Sequence, residues 1–224
     1  EYENSLNNYI SAIKINNKID KLYYNTGIVL SKIGRIKDAT KYFLHTIKIN
    51  NKHIKALNYL GIQFINENKY EHAIHYLKKA ININPNYAKA YNNLGAAYLQ
   101  KKDFKAALQS FDKAYSLDNS LIISAIQKYY LKRLFCDWSN EKDLKSIINK
   151  TITSNELVSP WFCLSLEDNA ENHFLRAKKY SSKYNLLKTN NNIYSNTKIR
   201  IGYYAADFHQ HAGMINMEGI FKNH

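Results

Sequence analysis

Lysine and asparagine side chains recur in this sequence at one constant spacing. Lys21, Lys55 and Lys89 form one series, and Asn25 and Asn93 belong to a second. A row of ammonium groups favours acidic or carboxylate-bearing ligands, and an asparagine amide can hold the backbone of an extended peptide without reading its sequence. The two series predict a surface that binds peptides. Both residue types are abundant throughout the chain, so a chance alignment is the competing interpretation.

Two more asparagines share the position just before the second series. Tyr59 stands where an asparagine is expected between Asn25 and Asn93, so it interrupts the second series. The complete predicted peptide-binding set is Asn25, Asn58, Asn92, Asn93, Lys21, Lys55 and Lys89.

His211 is a residue whose side chain could take part in chemistry. It follows residues 198–208, a short, partly alternating and β-prone stretch that predicts a strand. A neutral imidazole can accept a proton or hold a hydroxyl group near neutral pH. The competing interpretation is a loop histidine that hydrogen-bonds the backbone.

The two cysteines, Cys136 and Cys163, have neither a disulfide pattern nor a metal-ligand spacing. We expect buried structural thiols in a reducing cytoplasm and no bound metal. No apolar run approaches the length that spans a membrane.

The elements that must position these residues are helical hairpins. Small residues recur at the same spacing as the lysines in two series, at Gly27, Gly61 and Gly95 and at Ala39, Ala73 and Ala107. Such residues let the two helices of a hairpin approach closely. A 34-residue period of this kind resembles the tetratricopeptide repeat (TPR), whose stacked hairpins form a solenoid with a concave inner surface.

The period divides the chain into predicted regions. Residues 1–121 form a TPR array, with a partial repeat at 1–19 and full repeats at 20–53, 54–87 and 88–121. Residues 122–197 are a helical connector in which Trp138 anchors the junction and a helix near 170–184 carries Phe174 on one side. Residues 198–224 begin an α/β, Rossmann-like domain with a strand and then a helix. We interpret both ends as cuts through a longer protein.

Charge raises a separate possibility. The formal net charge is +14 and the isoelectric point about 9.5, which would suit a nucleic-acid-binding solenoid. The lysines are spread along the chain without a dense cluster, so we favour solvated faces and expect no nucleic acid partner.

The order of the motifs resembles the protein O-GlcNAc transferase family, including its SPINDLY-like bacterial members. The order includes Ser159-Pro160, and the diagnostic stretches are Cys136-Asp137-Trp138 and residues 199–211, Ile-Arg-Ile-Gly-Tyr-Tyr-Ala-Ala-Asp-Phe-His-Gln-His. The resemblance implies a TPR superhelix that presents proteins to a catalytic region of two Rossmann-like lobes.

That family transfers a sugar from a nucleotide donor, here expected to be UDP-GlcNAc, to Ser or Thr without a metal. His211 matches a histidine in its active-site cleft, so the resemblance makes His211 the candidate catalytic residue. Because the donor pocket would lie mostly beyond His224, we expect this chain alone to be inactive. The alternative is a non-catalytic TPR module for protein–protein interaction.

Overall fold

The computed structural model describes residues 2–139, 143–154 and 156–182. They form eleven α-helices: α1 Tyr2–Ile15, α2 Asp20–Lys32, α3 Ile36–Ile49, α4 Ile54–Asn66, α5 Tyr70–Ile83, α6 Ala88–Gln100, α7 Phe104–Leu117, α8 Ile122–Leu134, α9 Leu144–Thr153, α10 Pro160–Leu164 and α11 Ala170–Ser181. These described residues contain no strand. The strand predicted at 198–208, the helix after it and His211 lie outside them, so the Rossmann-like part of the predicted fold stays a prediction.

Helices α1 to α8 repeat with the predicted period. Helices α1, α3, α5 and α7 have 14 residues each, and α2, α4, α6 and α8 have 13 each. Within each set, the first residues of successive helices are separated by one repeat length. The closest pairs are α2 with α3, α4 with α5 and α6 with α7. The prediction of a stacked helical-hairpin solenoid is therefore confirmed for this part of the chain.

The repeat glycines mark the places where hairpin helices touch. A Cβ atom built at Gly61 would lie 2.5 Å from Cγ of Leu77, and one at Gly95 would lie 2.7 Å from Cδ1 of Phe111. Both distances are shorter than a van der Waals contact, so any larger residue would push the two helices apart. Each glycine thus leaves room for one large side chain of the helix that follows.

Two residues after the first helix of each hairpin ends, one residue adopts the left-handed backbone conformation. Gly34, Asn68, Lys102 and Cys136 have φ values of 83°, 58°, 63° and 55°. The backbone N–H of the next residue bonds back to the carbonyl five residues earlier, as Asp137 N–H does to Lys132 O at 2.9 Å. This geometry reverses the chain and satisfies carbonyls at the helix end. Cys136 is exposed because it occupies this turn, so our expectation of two buried thiols is met only by Cys163.

The backbone register continues past residue 121, where we predicted that the array ends. Helix α8 starts and ends one repeat length after α6. The sequence pattern fails there because Tyr129 occupies the glycine position, and it is buried. Without a small residue, α9 cannot approach as α7 approaches α6, and it begins only at Leu144. The predicted boundary at residue 121 thus marks where the repeat pattern of the sequence ends. The repeating geometry of helix and turn continues through Asp137.

Helix α11 is held by buried polar groups. Phe174, which we predicted on one side of this helix, is 65% exposed, whereas Arg176 is 1% exposed. The Arg176 guanidinium donates to Thr151 Oγ1 at 2.6 Å and pairs with Glu167. Trp138 is also exposed instead of anchoring the junction, and it stacks under the guanidinium of Arg133.

Candidate functional site

A cavity of about 460 Å³ lies between the first helices of successive hairpins. We call it the central pocket. It is lined by side chains of α2, α4 and α6 and of the turns before α6 and α8: Tyr24, Lys55, Asn58, Tyr59, Ile62, Tyr87, Lys89, Asn92, Asn93 and Leu121.

The structure brings together five of the seven predicted peptide-binding residues. Lys55, Asn58, Lys89, Asn92 and Asn93 all line the central pocket. Lys55 and Asn58 of α4 occupy the same repeat positions as Lys89 and Asn92 of α6, and the two helices pack side by side.

The remaining two predicted residues, Lys21 and Asn25, do not line the pocket. Tyr59 stands between Asn25 and Asn93 in the asparagine series, and its ring stacks on Phe43 at 5.1 Å and meets Tyr24 edge-on at 6.0 Å. These rings occupy the space where another asparagine side chain would continue the series toward α2.

Four polar side chains form a hydrogen-bonded series that we call the amide relay. The Ser124 hydroxyl donates to Asn92 Oδ1 at 2.8 Å. Asn92 Nδ2 donates to Asn93 Oδ1 at 3.2 Å, and Asn93 Nδ2 donates to Asn58 Oδ1 at 2.8 Å. The relay links α8, α6 and α4 and fixes how each amide is turned.

Sequence reasoning missed Tyr24 and Tyr87 of the pocket and treated Tyr59 only as an interruption of the asparagine series. The pKa of Tyr24 is raised to about 12 by its burial, the largest cause, together with neighbouring Tyr59 and Tyr87. Burial also raises the pKa of Tyr87. The phenols of Tyr24 and Tyr87 are therefore protonated near neutral pH and can donate hydrogen bonds. A signal existed, because Tyr24 occupies the same repeat position as Asn58 and Asn92.

The pocket carries positive charge and no carboxylate. Lys55 and Lys89 are exposed at its edge, and neither forms an ion pair within the part of the chain that the structure describes. Hydrogen bonds from Ser120 lower the pKa of nearby Asp118, and Lys89 adds to this effect. An anionic ligand would therefore meet two available ammonium groups.

The described residues show neither of two other kinds of feature. They hold no cluster of His, Cys, Asp and Glu side chains that could bind a metal. They also hold no helix with the length and apolar character needed to cross a bilayer.

Comparison with known families identifies part of the array. The TPR repeat profile matches residues 61–102, and the tetratricopeptide repeat profile matches residues 88–120. No curated protein sequence is significantly similar to the chain.

Solved structures share the helical fold at low identity. MamA from Desulfovibrio magneticus RS-1 has a TM-score of 0.60 and 19% identity over 69% of this chain and 88% of its own. The pilF protein of Pseudomonas aeruginosa has a TM-score of 0.63 and 16% identity over 82% and 84%. YrrB, described as a TPR protein with an unusual peptide-binding site, has a TM-score of 0.52 and 16% identity over 78% and 91%. At these identities the likeness concerns the fold.

Proposed function

We propose that this chain, which carries tetratricopeptide repeats, is a protein-interaction module that binds an extended acidic peptide in the central pocket. The observation that carries the proposal is the convergence of Asn58, Asn92 and Asn93 with Lys55 and Lys89 in one cavity. The fold shared with YrrB, a TPR protein with a peptide-binding site, supports it.

The chemistry of the lining suggests how a peptide is held. Amide N–H groups of the asparagines donate to backbone carbonyls of an extended chain. The ammonium groups of Lys55 and Lys89 attract an acidic side chain or terminus. Ile62 and Leu121 offer an apolar surface for one neighbouring side chain. Affinity would come mainly from the backbone, and the lysines would select acidic sequences.

The test is selection from a library of displayed random peptides with the purified chain as bait. We expect acidic sequences, and we expect the double variant Lys55→Ala with Lys89→Ala to weaken the tightest of them by roughly tenfold, since two charge-assisted contacts are lost. The matched control is Lys105→Ala with Lys113→Ala, because both lysines are exposed on α7 away from the pocket. Equal binding by both double variants would contradict the proposal, as would a library without any specific binder.

The transferase hypothesis is a second candidate, and its support is the sequence resemblance. The stretch Cys136-Asp137-Trp138 and residues 199–211 carry it. In the described part, Asp137 accepts hydrogen bonds from Ser139 and pairs with Lys132, contacts that suit a turn.

The transferase hypothesis has a direct test. A longer protein that contains this chain would be incubated with UDP-GlcNAc or GDP-fucose and candidate acceptors, and modified Ser or Thr would be sought by mass spectrometry. Transfer that disappears with His211→Ala would support it. Transfer unaffected by that change would remove His211 from the mechanism.

A further inference from the structure

We propose that Ser124 is a positioning residue that makes the central pocket prefer anionic side chains or ends of a bound peptide over neutral amide side chains. The proposal rests on the proposed function, because it specifies which ligand group the pocket prefers. The shared chemistry is an anionic acceptor, either a carboxylate or a phosphate.

The first step is the direction of the amide relay. Ser124 is fully buried on α8, and its hydroxyl donates to Asn92 Oδ1 at 2.8 Å. The oxygen of Asn92 is thereby held toward α8, and its Nδ2 is directed to Asn93 at 3.2 Å. Asn93 in turn directs its own Nδ2 to Asn58 at 2.8 Å. All bonds of the relay therefore run the same way, from the serine to Asn58.

The second step is what this direction leaves for a ligand. Each amide oxygen in the relay already accepts one hydrogen bond, whereas an NH₂ group has two N–H bonds. Asn92 and Asn93 each use one N–H in the relay. Asn58 takes part in the relay only as an acceptor, so its Nδ2 donates to none of the other relay side chains. The three amides thus retain more unused N–H bonds than unused oxygen lone pairs.

The rest of the lining strengthens the same bias. The phenols of Tyr24, Tyr59 and Tyr87 can donate, and the pKa of Tyr24 is raised to about 12 by its burial. Lys55 and Lys89 are donors only. A carboxylate or phosphate has only acceptors, so it fits such a lining. A neutral amide brings N–H groups of its own, which would face other donors.

The third step is the need for Ser124 itself. An asparagine amide can turn over and exchange its oxygen and nitrogen, and only its hydrogen-bond partners distinguish the two orientations. Without the serine hydroxyl, Asn92 loses the donor that holds its oxygen away from the pocket. Its oxygen could then face the ligand and accept from a neutral amide. Ser124 therefore acts through Asn92 and is not expected to touch the ligand.

The experiment compares synthetic peptides of one frame, acetyl-Ala-Ala-X-Val-X-Ala-Ala, by calorimetric titration into the whole chain. One has X as Asp and an amidated end, and its matched partner has X as Asn. A third has X as Asn with a free carboxyl end, and a fourth has X as phosphoserine. We expect the wild-type protein to prefer at least one anionic peptide to the amidated Asn peptide by about tenfold. The preferred peptide identifies the source of the anionic group.

The decisive readout is the ratio of affinities for the anionic and neutral peptides. We expect Ser124→Ala to reduce the ratio to about twofold or less. The control Ser110→Ala also removes a buried helical hydroxyl, which bonds to Ala106 O at 2.7 Å outside the relay, and it should leave the ratio unchanged. Because Ser124 acts through Asn92, Ser124→Ala should have no further effect on the ratio in an Asn92→Ala background.

Two outcomes would overturn the inference. One is a ratio unaffected by Ser124→Ala in a protein with a normal thermal midpoint. The other is equal wild-type affinity for all the frame peptides. In either case, library-selected peptides that still depend on Lys55 and Lys89 would leave the proposed function standing, so the two failures are distinguishable.

Discussion

Single residues decide how closely the hairpin helices approach. Gly61 and Gly95 face Leu77 and Phe111 at distances that leave no space for a Cβ atom. Their partners are fully buried, so the clash could not be relieved by a side chain turning into solvent. In the central pocket a single large residue has an effect as well. The ring of Tyr59 stacks on Phe43 at the position where the asparagine series would continue.

Gly61→Ala should destabilise the protein by about 1–3 kcal/mol, because an added methyl group overpacks the contact with Leu77. Urea unfolding followed by circular dichroism measures the free energy. Leu77→Ala alone should cost about 2–5 kcal/mol through the cavity it creates. The double variant should cost less than the sum of the two, since the new methyl then enters free space. Simple additivity would show that Leu77 does not limit this contact.

Individual helices are attached by different kinds of interaction. Helices α2 to α7 are held by buried apolar side chains from both partners of each hairpin. Helix α11 instead buries Arg176 beside Thr151, Glu167 and His173. Lys179 adds a hydrogen bond to the carbonyl of Thr151 at 3.0 Å, close to the end of α9. A buried ion pair is costly to break because the remaining charge is left without a partner.

The attachment of α11 should depend on pH through Glu167. Burial tends to raise the pKa of Glu167, but hydrogen bonds from Arg176 and Asn172 outweigh it, and the net pKa is lowered from 4.5. The unfolded chain therefore binds a proton more readily than the folded one below about pH 4.5. The contribution of the carboxylate to stability is present above that pH and is lost as the pH falls through the lowered pKa.

Glu167→Gln tests this assignment. The variant should lose about 3 kcal/mol or more at pH 7, since Arg176 is left buried without a counter-charge. Unfolding free energies measured from pH 7 down to pH 3 should converge for the two proteins as Glu167 becomes protonated in the wild type. A constant difference across this range would contradict the assignment.

At the scale of the whole molecule, stacking and charge act against each other. Contacts run chiefly between neighbouring helices, as expected for a repeat array whose stability is a sum over neighbours. The chain carries 32 lysines and arginines but only 18 acidic residues. Such an excess destabilises a compact state through self-repulsion.

Added salt should therefore stabilise the protein. Raising sodium chloride shortens the range of the repulsion, so the thermal midpoint should rise by several degrees between low and moderate ionic strength.

Binding of the chain to a short DNA duplex, measured over the same range of sodium chloride concentration, tests the nucleic-acid alternative. Binding to the duplex that weakens steeply with salt would favour that alternative, and no measurable binding would exclude it for this chain.

The sequence by itself determined the periodic part of this protein. A constant spacing of small and large side chains defined the hairpins, because close helix contacts tolerate few residue types at fixed positions. One further signal was present and unused. Asn16, Asn50, Asn84 and Asp118 recur at the same spacing, and each accepts a hydrogen bond from the backbone N–H two residues later, in the turn between hairpins.

The tertiary structure decided what depends on contacts between distant residues. It excluded Lys21 and Asn25 from the pocket and brought three tyrosines into it, since pocket membership depends on neighbouring helices and not on repeat position alone. It also gave α11 a buried arginine and an exposed Phe174. Periodicity assigns a helix its apolar face, but only the surrounding groups determine whether a charged face is buried, because burial of a charge requires partners that lie far away in the sequence.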